Sequence, residues 1–63
     1  MIVNGRTRDD FIGLSLEEVL DRLGLDKEYL VVELDGKIIA KENYKFRLEK
    51  ENTLEIVSFV GGG

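Results

Sequence analysis

Apolar residues recur along this chain in two rhythms, one of period two and one of helical period, divided by polar breaks. The opening "MIVNG" places three apolar residues, two of them β-branched, before Asn4-Gly5. That dipeptide is the strongest short hairpin signal, because both residues tolerate the positive φ of a type I′ turn. The pattern predicts a first strand at 1–4 and a second at about 6–11. Arg6, Arg8 and Asp10 then lie on the solvent side of the second strand, as suits a sheet edge. In "SLEEVLDRLG" the period changes. Leu16, Val19, Leu20 and Leu23 stand at i, i+3, i+4 and i+7, one helical stripe. Ser15 and Glu18 form an S-x-x-E capping box, and Gly24 is placed to end the helix in a left-handed conformation.

"LVVELDGKIIA" predicts two strands around Asp35-Gly36, a second type I′ signal. Leu30, Val32 and Leu34 share one face of the first of these, and Val31 and Glu33 the other. "KENYKFRL" predicts a short helical turn followed by an extended piece, and the polar run Lys50 to Thr53 predicts a turn. In "TLEIVSFV" alternation separates Leu54, Ile56, Ser58 and Val60 from Glu55, Val57 and Phe59. Both faces carry apolar groups, which points to a central strand. The order is then β-β-α-β-β-β. It predicts an α+β fold: one mixed sheet of four to five strands with a single helix packed on one face.

Length changes the weight of these patterns. At 63 residues the chain is one domain, and a domain this size buries only about 60% of the surface of its unfolded chain. The helical stripe is therefore needed in its own core rather than for a partner. Composition narrows the chemistry. Apolar residues make up 43% and charged residues 35%, the balance of a globular domain. There is no cysteine and no histidine. Zinc sites of the common kinds, thiol nucleophiles and Ser-His or Cys-His pairs are thereby disfavoured or excluded. The formal net charge of −4 disfavours nucleic-acid binding. No apolar run approaches the ~18 residues of a membrane span. The expectation is a cytoplasmic protein, monomeric when free, that binds no metal, nucleic acid or membrane.

The last strand runs straight into Gly61-Gly62-Gly63. The tail reads three ways: a frayed end or cloning remnant, a linker to a further domain, or a functional arm. The division expected is a folded body at 1–60 and a flexible glycine tail at 61–63. Three extended residues reach ~10 Å. With no Cβ they could enter a narrow channel in another protein. A free carboxylate is a poor electrophile, but joining it to AMP supplies a leaving group. The chain has no phosphate-cradling GxxxxGK[ST] loop and no sulfur nucleophile, so a partner enzyme would have to bind ATP and bring the sulfur.

In order and spacing, the turn "VNG", the helix "LSLEEVLDRLGL", the segment "VVELDGKIIAKENY" with Lys41 and Tyr44, and the ending "LEIVSFVGGG" resemble the ThiS family. Its members are small sulfur carriers of bacterial thiamin (thiazole) biosynthesis with the ubiquitin-like β-grasp fold. Two departures stand out. The turn before the last strand reads Lys50-Glu51-Asn52-Thr53 where the family often has Gly-Asp, and Asp35 stands where it often has Asn. The resemblance implies that the carboxylate of Gly63 is adenylated by a ThiF-like enzyme using ATP. Sulfur, ultimately from cysteine through a desulfurase, then makes it a thiocarboxylate, and ThiG, the thiazole synthase, receives the sulfur. The chain would bind no cofactor of its own and act as a recycled co-substrate, not an enzyme. Gly62 and Gly63 match the family's diglycine, and Gly61 adds reach. Val57, Phe59 and Val60, beside the tail, are the expected partner contacts, and Tyr44 is expected to be structural, near the sheet edge. Three rivals share much of this pattern: a MoaD-like subunit of molybdopterin synthase, a ubiquitin-like protein modifier, and a structural β-grasp interaction module.

Overall fold

The computed structural model describes residues 1–59 of the chain. Its strands are β1 (Ile2–Val3), β2 (Arg6–Thr7), β3 (Leu30–Leu34), β4 (Lys37–Ile39) and β5 (Thr53–Ser58), with one helix, α1 (Leu16–Leu23). Short 3-10 turns lie at Asp9–Phe11, Lys27–Tyr29 and Lys41–Asn43. The strands form one sheet in the order β2-β1-β5-β3-β4. β1 and β5 are parallel, and the other neighbours are antiparallel.

Two tight turns set this register. Asn4 and Gly5 have φ of 50° and 82°, and Asp35 and Gly36 have φ of 51° and 87°. Both pairs are the left-handed doublet that a type I′ turn requires. The expected capping box closes α1: the Ser15 hydroxyl accepts from Glu18 N at 3.1 Å, and a Glu18 carboxylate oxygen accepts from Ser15 N at 2.8 Å. At the other end Gly24 takes φ 70°. Gly24 N donates to Asp21 O at 3.1 Å and Leu25 N to Leu20 O at 3.0 Å, the paired bonds of a Schellman stop.

The core lies between α1 and one face of the sheet. Leu16, Val19 and Leu20 meet Val3, Leu30, Val32, Leu54 and Ile56 there, with Phe11, Tyr44 and Leu48 closing the sides. Five details differ from the sequence reading. The first strand ends at Val3, because Asn4 is already in the turn. The second ends at Thr7 instead of running to residue 11, and Arg6, expected on its solvent side, stands opposite the buried Val3, on the side of the sheet that α1 covers. The second strand can pair only as far as β1 reaches: Thr7 stands opposite Ile2, and Arg8 N makes the last rung to Met1 O at 3.0 Å. Beyond that point there is no neighbouring strand, and the Asp9–Phe11 turn swings Phe11 into the core instead. Leu23, the fourth stripe position, is exposed. Leu25, just past the glycine stop, packs against the core. Tyr44 is structural as expected, but it is a core residue with 2% exposure.

The segment 44–48 has a further role that periodicity does not reveal. Leu16 N donates to Phe46 O (3.3 Å) and Glu17 N to Tyr44 O (3.0 Å). With the Ser15–Glu18 bond, the first three amides of α1 are all satisfied, groups that a helix leaves without internal partners. The turn that departs from the family pattern is also secured. The Asn52 side chain accepts from Glu49 N at 2.7 Å, and Asp35 accepts from Thr53 N and from the Asn52 amide at 2.8 and 3.0 Å.

Candidate functional site

The candidate site is the outer end of β5 and the sheet face beside it. β5 is flanked on both sides, by β1 and β3. On the β3 side its pairing continues past the strand end, where Phe59 N donates to Tyr29 O at 2.9 Å. On the other side β1 is too short to follow. Asn4, the first turn residue, substitutes for it with its side chain. Its Oδ1 accepts from Ile56 N at 2.7 Å, and its Nδ2 donates to Ile56 O at 3.3 Å. A side-chain amide thus imitates one residue of a neighbouring strand and fastens β5 two residues before it ends.

Alternation then sorts the side chains. Leu54 and Ile56 are buried beneath α1, while Val57 and Phe59 project from the opposite face, 57% and 60% exposed. Register adds neighbours that the sequence alone did not supply. Val31 on β3 lies directly opposite Val57, and Glu33 directly opposite Glu55. On β4, Ile38 stands opposite Glu33 and is 71% exposed. This helix-free face therefore carries a broken apolar surface around two carboxylates. The alternation in 30–34 had already put Val31 and Glu33 outside, but only strand pairing brings them beside β5. Asn4 was legible as a turn residue; its grip on Ile56, across a separation of 52 residues, was not.

Of the residues expected to act, Val57 and Phe59 lie where the alternation placed them. Val60, Gly61, Gly62 and Gly63 fall outside the described residues. Lys41 is held on the surface, with its ammonium 2.9 Å from Glu28, whose hydrogen bond raises the lysine pKa. Among the described residues no three metal-ligating side chains converge, and no helix is long and apolar enough to cross a membrane.

A five-stranded mixed sheet crossed by one helix, with β1 and β5 parallel at its centre, defines a ubiquitin-like β-grasp domain. The comparisons with known proteins specify it further. The model of the ThiS family matches residues 1–63, and the chain belongs to that family. Among solved structures, the thiamine biosynthesis protein (ThiS) of Geobacter metallireducens superposes with a TM-score of 0.73 at 32% identity, over 98% of this chain and 96% of that one. A protein of Paramagnetospirillum magneticum named thiazole synthase is 33% identical over 64 aligned positions. That match takes in the whole of this chain but only 20% of the relative, so the chain spans about a fifth of that protein's length.

Proposed function

We propose that this chain is a sulfur carrier of thiamine biosynthesis, and that the carboxylate of Gly63 is the group that carries the sulfur. The observation that carries this reading is the family match over the full chain, supported by the like-folded thiamine biosynthesis protein. Strand geometry supports it as well. The most enclosed strand of the sheet leads within one residue of Phe59 to Gly61-Gly62-Gly63, so a rigid body stands directly behind the reacting end.

The chemistry follows from what the chain has and lacks. An oxygen of the Gly63 carboxylate attacks the α-phosphorus of ATP bound to a ThiF-like enzyme, and pyrophosphate leaves. The acyl-adenylate now has a good leaving group. A desulfurase draws sulfur from cysteine as a persulfide, a thiol reductant releases it as sulfide and is itself oxidised to a disulfide, and that sulfide attacks the carbonyl carbon. The C–O bond to AMP breaks, and a thiocarboxylate remains. Glycine leaves that carbonyl unobstructed, because its α-carbon bears only hydrogens. The chain contributes positioning, not catalysis, and binds no cofactor itself. The thiocarboxylate then gives its sulfur to thiazole synthase, ThiG. The relative named thiazole synthase favours this recipient over molybdopterin synthase. Val57 and Phe59, with Val60 next to them, make the contacts that hold the partners.

The test is the intact mass of the protein after incubation with a ThiF-like enzyme, ATP and sulfide. Exchange of one oxygen for sulfur, located to Gly63 by fragmentation, is the expected result. A protein left unchanged by an enzyme that modifies another ThiS carrier refutes the reading. Amide-linked conjugates of higher mass would identify a protein modifier instead. Removal of Gly62 and Gly63 is expected to abolish the reaction and leave the fold intact.

A further inference from the structure

The helix-free face holds two carboxylates in an arrangement that folding does not explain. Glu33 and Glu55 are direct cross-strand partners. Like charges in that relation are destabilising. Neither joins an ion pair or a side-chain hydrogen bond among the described residues, although five other carboxylates do take part in ion pairs. Nor does a basic residue of the strands offset them on the same face. The two basic strand residues, Arg6 and Lys37, stand in register with Val3 and Leu34, on the side of the sheet that α1 covers. Toward the end of β5 and on β4 the neighbours of the acid pair are apolar, Val31, Val57 and Ile38, while the exposed Thr53 precedes Glu55 on the same face. A cation brought against this pair under a docked partner would be shielded from water by those apolar side chains. That shielding strengthens a charge contact well beyond its value on an open surface.

We propose that this face docks thiazole synthase with an arginine or lysine side chain of the synthase seated against Glu33 and Glu55. The proposal rests on the sulfur-carrier reading above and deepens it by naming what the recipient must present. Two observations single out the occupant. Phe59, the last described residue before the glycines, projects from this same face, so a protein that receives Gly63 in its active site lies against it. In the thiazole synthase of Paramagnetospirillum magneticum, a stretch matching this whole chain is part of the same polypeptide as the remaining four-fifths. A planar guanidinium suits two facing carboxylates better than an ammonium, because its fork of donors can engage both.

The test measures binding of this chain to separately purified thiazole synthase from the same genome, by calorimetry, at about 50 mM and about 500 mM NaCl, where screening differs strongly. Glu33→Gln and Glu55→Gln are compared with Glu51→Gln, which removes the same charge from the turn before β5. Each of the first two is expected to weaken binding about tenfold, the size of one lost charge-assisted contact. Glu51→Gln is expected to weaken it less than about twofold, as a rim charge does. High salt should lower the affinity of the wild type more than that of the double variant. Thermal unfolding of both face variants should occur at or above the wild-type temperature, since a repulsion has been removed. Three results overturn the proposal: affinity that ignores both substitutions and salt, equal losses for all three variants, or no binding by a carrier that is thiocarboxylated normally. None of these disturbs the sulfur-carrier reading, which fails separately if Gly63 is never thiocarboxylated.

Discussion

Asn4 offers the sharpest test of how the last strand is held. Its side chain makes two hydrogen bonds to the backbone of Ile56, at 2.7 and 3.3 Å, while its own backbone sits at φ 50°. Asn4→Gly keeps the turn conformation and deletes both bonds. At about 0.5–1.5 kcal/mol net for each bond, the loss is about 1–3 kcal/mol. Asn4→Ala deletes the same bonds and leaves at φ 50° a residue that tolerates the left-handed region less well than asparagine, a further cost of about 1–2 kcal/mol relative to the glycine variant. For a domain of this size each kcal/mol lowers the melting temperature by about 4–8 °C, so both losses are measurable by thermal or urea unfolding. Hydrogen exchange locates the effect. The Ile56 amide, which donates to Asn4, should lose protection in both variants. The Val57 amide should change only as global stability changes. Odd-numbered residues of β5 face β3, as the bonds Asp35 N to Thr53 O and Phe59 N to Tyr29 O establish. An Asn4→Gly protein within about 0.5 kcal/mol of the wild type, the range of a neutral surface substitution, would refute the idea that this side chain does the work of a strand. Unchanged relative protection at Ile56 would refute it equally.

Three further outcomes follow from the same structure. Phe59→Asp should weaken binding to the adenylating enzyme about tenfold or more, as loss of an aromatic anchor does. It should leave the melting temperature nearly unchanged, and a fall beyond about 5 °C would mean that Phe59 belongs to the core. Tyr44→Ala removes a buried ring and should destabilise by about 3–5 kcal/mol, enough to unfold much of so small a domain, as circular dichroism at 25 °C would register. Glu18 accepts from the Ser15 amide, which holds its carboxyl below the ordinary glutamate range, with the Ser15 hydroxyl contact and Arg47 acting in the same direction. A depressed folded pKa contributes stability that is present above the unfolded pKa and is lost as pH falls through the folded one. Glu18→Gln keeps the capping geometry but cannot titrate. Its stability should therefore drop less steeply than the wild type's in urea titrations below about pH 4.3, and parallel acid profiles would contradict this assignment.

What the sequence revealed and what it withheld divide along physical lines. Local chemistry was legible. Asn4-Gly5, Asp35-Gly36, the Ser15–Glu18 box and Gly24 each define a conformation within a few residues, and each adopts it. The central place of β5 was legible because apolar residues occupy both of its faces. The length of the second strand was not, because it depends on how far β1 extends to pair with it. The burial of Tyr44 was not either. The segment that carries it has no clean period, and it is positioned by carbonyls that satisfy the first amides of α1. The Glu33–Glu55 pair shows the same limit: each glutamate reads as an ordinary outward residue until register sets them opposite each other.

This division bears on how a carrier of this kind could tell one partner from another. Glycine offers an incoming active site a backbone and no side chain, so Gly61-Gly62-Gly63 can present a carboxylate but little by which to be recognised. Specificity is a difference between affinities, and it needs groups that reward one surface and penalise another. Among the described residues, the groups nearest the proposed reacting end that can do so are Val57 and Phe59, with Glu33 and Glu55 behind them on the same face. The apolar residues reward any complementary hydrophobic surface. The facing carboxylates penalise one that brings an acid or no cation at all. The proposed reacting group and the recognition surface are thus separate in the sequence, and only strand register assembles the latter from β3, β4 and β5. The consequence is measurable: exchanging the four face residues between two carriers of this family should exchange their partner preference, whereas exchanging the glycines should not.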